Sequence, residues 1–269
     1  MHTLWQKNRL ISTVLSILRK QTIIKHKKNN TMGAASSHMI ASAFTDLDKS
    51  MPNVLDGTKI EEIKQTIRDF AIASSVSSVL SGVLPGAGAV VAGVAQAGFV
   101  WATYVKINKH LGISMKENTA KFIGSAVVTN LVSNGGILLL SHAGAAILSF
   151  IPIVGSVGSM ALEGAVGYII IYVSAIVYMK LITKMVKPDG TIDVTESDET
   201  KEQISQIIKD SDIEGMVKEG RSSYKEAKAD GSIDEAKKHP RCPNCHVEVT
   251  TDQCFCSKCG TQLKALESN

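Results

Sequence analysis

The chain has 269 residues and a formal net charge of +4, and its 44% apolar and 20% charged residues resemble the composition of a water-soluble protein. All five cysteines lie between positions 242 and 259, which excludes a disulfide-stapled domain elsewhere in the chain. Charged residues are, however, distributed very unevenly along the chain. No residue from 70 to 105 is charged, and Glu163 is the only charged residue from 122 to 179. Because a membrane-spanning helix takes about 20 apolar residues, these two blocks are long enough to supply several such helices.

Residues 1–50 are predicted to form a poorly ordered basic arm. The first 31 residues contain seven Lys or Arg and no acid. Their apolar run, residues 10–18, is short and broken by serine and threonine, so a secretory signal is not indicated. A basic arm of this kind is typical of a surface anchor or a transit peptide, and Met32 offers an alternative start.

Residues 56–187 are predicted to fold as an apolar helical domain of two hairpins, which makes the chain mainly α. Thr58 and Glu61 form a capping-box pattern at the start of the first helix. A P-x-x-G turn begins at Pro85 and recurs at Pro152, an offset of 67 residues. Proline cannot continue a helix but suits the first turn of the next one. Each half therefore reads as helix, turn, helix, and the two halves form an internal repeat.

Small residues recur at a spacing of four within this domain, as at Ala89, Gly93 and Ala97. In a membrane, such a glycine-zipper face lets helix backbones approach closely, within one chain or in a homo-oligomer. The alternative is that alanine and glycine fill the tight core of a soluble bundle.

Lysines lie at the base of both predicted hairpins, whereas the two turns carry no charge. The positive-inside rule then predicts a membrane protein with both termini in the cytoplasm. Gln96 and Glu163 match in the repeat and are predicted to form an intramembrane polar site. They either hydrogen-bond across the bundle or hold a proton or an ion, because an acid in an apolar segment is costly.

The segments LPGAGAVVAGVAQAGFVWATYVKINKHLGI at 84–113 and FIPIVGSVGSMALEGAVGYIIIYVSA at 150–175 resemble a helical domain of unknown function. That domain occurs in bacterial proteins and is often attached to Era-like GTPases, so the resemblance implies a location in the bacterial inner membrane. Its features are an I-P-x-x-G turn, a glycine-rich helix and a basic loop. The GTPase is not indicated here, because the sequence contains no G-x-x-x-x-G-K-[ST] phosphate-binding loop.

Residues 188–239 are predicted to be a charged linker with short helices, the last of them capped by Ser232 and Glu235. Residues 240–264 follow as a separate metal-binding module.

The strongest motif is a pair of C-x-x-C turns separated by ten residues, and it indicates a structural zinc site. Four thiolates close a tetrahedral site that leaves no position open for catalysis. The predicted ligands are Cys242, Cys245, Cys256 and Cys259. Cys254 and His246 are the competing ligands.

The stretch CPNCHVEVTTDQCFCSKCGTQL resembles small bacterial zinc ribbons of the pattern CPxCG…FCxxCGxxL. His246 stands where those ribbons have glycine. The resemblance implies the ribbon fold and the metal.

No residue pattern indicates an enzyme, since no serine lies in G-x-S-x-G and no histidine has supporting spacing. The leading hypothesis is a membrane-embedded scaffold or regulatory protein that contacts lipid and docks a protein partner through a cytosolic zinc ribbon. The first alternative is a membrane-inserting or pore-forming effector. The second is a nucleic-acid-binding ribbon on a membrane anchor. Nucleic acid is disfavoured, because Arg241, Lys258 and Lys264 are too few to follow a phosphate backbone.

Overall fold

The computed structural model describes residues 38–52, 54–80, 89–148, 156–187, 191, 194–242, 245, 247–250, 253, 255–259 and 263. Of these, residues 79–80, 89–96, 132, 134–148 and 156–163 are described by their backbone alone. The described chain is mainly α-helical, as predicted, and Met39–Asn269 belongs to one compact unit. Its helices are α1 (His38–Ser50), α2 (Gly57–Leu80), α3 (Ala89–Leu111), α4 (Glu117–Leu148), α5 (Ser156–Met185), α6 (Asp198–Lys209), α7 (Ile213–Ala229) and α8 (Ser232–Lys238).

The four long helices α2 to α5 pack side by side, and α5 contacts each of the other three. Helices α3 and α5 are parallel, because Tyr104 donates to the carbonyl of Ser174 at 3.1 Å while Asn108, further along α3, accepts from Tyr178 at 2.7 Å. Helix α2 begins near the end of α3, where His110 lies 3.0 Å from Thr66.

The directions of the helices give the bundle two different ends. We call the end that contains Leu80, Ala89, Leu148 and Ser156 the uncharged end, and the opposite end the base. The turns predicted at Pro85 and Pro152 lie outside the described residues, so the two hairpins stay a prediction.

Stacked tyrosines form the centre of the core. The rings of Tyr104 and Tyr178 are stacked with centroids 3.8 Å apart, and both side chains are completely buried. Each hydroxyl donates to a buried acceptor, so neither polar group is left unsatisfied in the apolar interior.

Helices α2 and α5 lie very close together at Gly167. A Cβ atom at this position would lie 2.1 Å from Oγ of Ser78 and 3.0 Å from the carbonyl oxygen of Ser74. The Ser74 hydroxyl in turn donates to the carbonyl oxygen of Gly167 at 3.0 Å. Small residues at this crossing let the backbones meet and let a serine hydroxyl bridge them.

Helix α1 is attached through the buried carboxylate of Glu219, on α7. This side chain is 7% exposed and accepts from the backbone N–H groups of Met39 at 2.6 Å and Ile40 at 3.1 Å. It also accepts from the hydroxyl of Tyr172, on α5, at 2.7 Å. The first N–H groups of a helix have no partner within the helix, so Glu219 satisfies them and ties three helices together.

The helical unit is larger at both ends than the sequence predicts. Within the predicted poorly ordered arm, residues 38–50 form α1, because Ile40, Phe44 and Leu47 recur at helical spacing and are buried. Within the predicted charged linker, α6 to α8 place buried apolar residues against the same core.

Two helix starts also differ from the predicted caps. The Asp56 carboxylate accepts from the backbone N–H of Lys59 at 2.8 Å, so α2 is capped two residues before Thr58. Helix α8 has Gly231 at its N-cap, and Ser232 hydrogen-bonds to Asp230 instead of capping the helix.

Among the described residues, only Gly164–Met185 is long and apolar enough to cross a membrane, and 89% of its most apolar stretch is buried inside the protein. Helices α2, α3, α4 and α7 pack around it. The core helix of a soluble protein has the same length and composition, so this helix is only a weak candidate for a membrane span.

We predict that Gly167→Ala destabilises the fold by about 1–3 kcal/mol, because the added methyl group has no space between α2 and α5. Urea unfolding followed by circular dichroism measures the change. The matched control is Gly57→Ala, where a Cβ atom meets nothing within 4 Å. Equal stability of the Gly167 variant and the wild type would contradict the close approach.

Candidate metal centre

The C-terminal residues 240–263, which we call the metal module, are positioned by α2. The guanidinium of Arg68 forms an ion pair with Asp230 and donates to Ser232 at 3.0 Å. Further along α2, the hydroxyl of Ser77 donates to the carbonyl oxygen of Arg241 at 2.7 Å. The chain from α8 into the module therefore runs along α2 towards the uncharged end.

The four predicted zinc ligands lie together. The Sγ atoms of Cys242, Cys245, Cys256 and Cys259 are all within 4.8 Å of one another. The Sγ atoms of Cys242 and Cys259 are 3.6 Å apart, and those of Cys245 and Cys256 are 3.5 Å apart. A disulfide needs about 2.05 Å, whereas zinc with Zn–S bonds of about 2.3 Å places its four sulfurs about 3.8 Å apart. The sulfur cluster therefore fits a tetrahedral metal ion such as zinc.

Backbone N–H groups support the anionic form of one thiol. Desolvation opposes ionisation of Cys256, but the backbone N–H groups of Cys259 and Lys258 donate to its sulfur and lower the pKa of the thiol. The pKa of Cys245 is raised, chiefly by desolvation, and its sulfur interacts with the neighbouring thiols. A metal ion removes this conflict, because a coordinated thiol is deprotonated and its charge is shared with the cation.

A small core surrounds the sulfurs. Cys242, Val249, Cys256 and Leu263 are buried against one another. The backbone N–H of Cys242 donates to the carbonyl of Val247 at 2.8 Å, and Arg241 and Glu248 form an isolated antiparallel bridge. The described part of the module thus has a small apolar core, and a metal ion at the cysteines would supply much of the module's folding free energy.

The other predicted polar sites fall partly outside the described residues. Cys254 and His246, the competing ligands, are not described. Gln96 lies on α3 and Glu163 on α5, but their side chains are not described, so the proposed intramembrane polar site stays a prediction.

One polar cluster at the base was not predicted from the sequence. His110 lies with Nε2 3.0 Å from Oγ1 of Thr66 and with Nδ1 3.0 Å from Oε2 of Glu62. The order hydroxyl, imidazole, carboxylate is that of a hydrolase triad. However, Thr66 lies within α2, whose backbone N–H groups are used by the helix and cannot stabilise an oxyanion. The cluster joins α2 to α3, and the i, i+4 spacing of Glu62 and Thr66 is its one sequence signal.

Comparisons of the chain with protein-family models, with curated proteins and with solved structures found no match.

We predict that the protein binds one equivalent of zinc through the four clustered cysteines. Cys245→Ser and Cys259→Ser should each lose the metal, because removing a thiolate leaves an incomplete tetrahedron. Metal analysis after exhaustive dialysis measures the stoichiometry. The matched control, Cys254→Ser, should keep the metal, and loss of zinc from this variant alone would show that the ligand set is different.

Proposed function

We propose that the chain is a membrane-associated scaffold protein whose uncharged end enters the bilayer while the base stays in water. The observation that carries this proposal is the distribution of charge along the bundle. Charged residues follow α2 as far as Asp69, and resume on α3 at Lys106 and on α5 at Lys180. The halves of the helices that run to the uncharged end carry Glu163 as their only charge.

The base has the surface of a water-soluble protein. Ion pairs on it join Lys121 to Glu117 at 2.7 Å and Lys218 to Glu214 at 2.7 Å, with all four side chains about half exposed. Amphipathic helices α6 and α7 place their buried residues on α4 and α5, and apart from the buried Glu219 their charged residues face outwards. These features indicate that the helices covering α5 from about residue 164 onwards face water, while α5 itself is buried beneath them.

The length of the uncharged end favours partial insertion. The exposed side chains along α4 up to Ser133 are polar, and the residues from there to Leu148 rise about 22 Å at 1.5 Å per residue, which is less than the hydrocarbon thickness of about 30 Å. An end of this length enters one leaflet and part of the other. Both termini then lie on the same side, the cytoplasm, where reducing conditions keep the cysteine thiolates available for zinc.

A scaffold role is favoured over catalysis. The metal cluster has four cysteine ligands and therefore no open position for a substrate, and the histidine cluster at the base lacks oxyanion donors. Docking of a protein partner through the metal module stays a prediction.

A second candidate function is a membrane-inserting effector. A helix of span length, Gly164–Met185, lies inside a shell that includes two amphipathic helices. Such a bundle can open onto a bilayer and turn its core outwards. Dye release from sealed vesicles distinguishes the two functions, because the scaffold leaves the vesicles intact and the effector empties them.

We predict that Leu139→Lys lowers the fraction of protein bound to vesicles about tenfold or more, because burying a lysine in hydrocarbon costs about 2.5 kcal/mol or more. Flotation of purified protein with lipid vesicles measures binding, and circular dichroism confirms that the variant folds. The control is Val105→Lys at the base, where the native side chain is 40% exposed. The proposal fails if wild-type protein does not float, or if both lysine variants bind as the wild type does.

A further inference from the structure

We propose that the exposed tip of the metal module, Phe255 with Lys258, is a second membrane contact that engages the headgroup region of an anionic bilayer. The inference rests on the proposed function, since it assumes that the uncharged end enters the same bilayer. From the sequence, the surface of the metal module was assigned to a protein partner.

The module is held beside the uncharged end. Asp230 contacts α2 at Arg68, and Arg241 contacts α2 at Ser77. Along a helix these nine residues span about 14 Å. The segment from Asp230 to Arg241 therefore runs along α2, away from the charged base, and comes within three residues of Leu80, where α2 ends. The rest of the module continues from Arg241, which lies beside Ser77 and therefore close to the proposed bilayer surface.

The tip has the composition of a membrane-interface contact. Phe255 is 59% exposed although it directly precedes the buried ligand Cys256. Lys258, three residues on, is also exposed, and it has no acidic partner among the described residues. The nearby Lys237 and Lys238, in contrast, are paired with Asp234 and Glu235 at 2.8 and 2.6 Å.

These two side chains suit lipid better than the other possible partners. An interfacial aromatic ring gains free energy from entering the boundary between headgroups and acyl chains, and an unpaired lysine gains from anionic headgroups. A protein interface needs a patch of neighbouring apolar anchors. Among the residues whose side chains are described, the only other large exposed apolar one is Val105, on α3. A nucleic acid needs a track of several cations.

Metal ligation makes the tip a rigid anchor. Cys256 is buried in the small core of the module, and its sulfur receives backbone N–H groups of Lys258 and Cys259. The backbone that carries Phe255 and Lys258 is therefore held by the sulfur cluster, so less conformational entropy is lost when the exposed ring binds. Loss of the metal should release this turn and weaken the contact.

The experiment places a fluorophore at the tip. Phe255→Trp is made in the full chain with Trp5→Phe and Trp101→Phe, which removes both native tryptophans. The protein is mixed with phosphatidylcholine vesicles and with vesicles containing phosphatidylglycerol, each with and without acyl chains brominated near the headgroup. Flotation measures binding of the whole protein, and tryptophan emission reports on the tip. Zinc content confirms that the module is folded.

We expect the emission of the Phe255→Trp protein to shift to shorter wavelength and to be quenched by brominated lipid, more strongly with phosphatidylglycerol. Phe255→Ser should lower binding to phosphatidylglycerol vesicles several-fold, and Ser257→Ala, on the same turn, should not. Protein that floats normally while the tryptophan emission is unshifted and unquenched overturns the second contact and leaves the tip for a protein partner. In that case the proposed function stands. Protein that does not float at all overturns both.

Discussion

The close approach of α2 and α5 at Gly167 is the constraint on which the rest of the structure depends. Because no Cβ atom fits there, the α2 backbone lies against α5, and the serines of α2 reach different neighbours. Ser74 bonds to α5 and Ser77 to the first residues of the metal module. The second half of α2, which is uncharged and membrane-like in sequence, is thus a polar seam inside the protein, where the hydroxyls of Ser74, Ser77 and Ser78 donate to backbone carbonyl oxygens.

This seam also explains why α5 is inside the protein. With α2 on one side and α3 and α4 on others, the remaining surface of α5 is covered by α7, which contributes the buried carboxylate of Glu219. A buried carboxylate is stable only with hydrogen-bond donors, and it finds them at the start of α1 and on Tyr172. The uncharged end carries Glu163 as its only charge, and the other charges of the helices lie at the base and on the outer helices.

The sequence was sufficient to predict a mainly helical chain and the four clustered cysteines, because helical periodicity and C-x-x-C spacing are local signals. It predicted short helices within 188–239 but neither α1 nor the packing of α6 to α8 on the core, because amphipathic helices with charged outer faces resemble a solvated linker until their apolar faces meet a core. The sequence also could not show that α5 is buried by the other helices of the protein. An uncharged segment of that length, such as Gly164–Met185, has the same composition in a bilayer and in a protein interior, and only the neighbouring helices distinguish the two.

Hydrogen–deuterium exchange with and without vesicles tests most directly the claim that α5 is buried by protein while the uncharged end is buried by lipid. In the absence of vesicles, the account predicts that amides of residues 164–185 are already strongly protected. Adding vesicles should leave them unchanged and should slow exchange in residues 137–148. Fast exchange of residues 164–185 in water, with protection gained only on vesicle binding, would contradict the account and show that α5 itself is the membrane span.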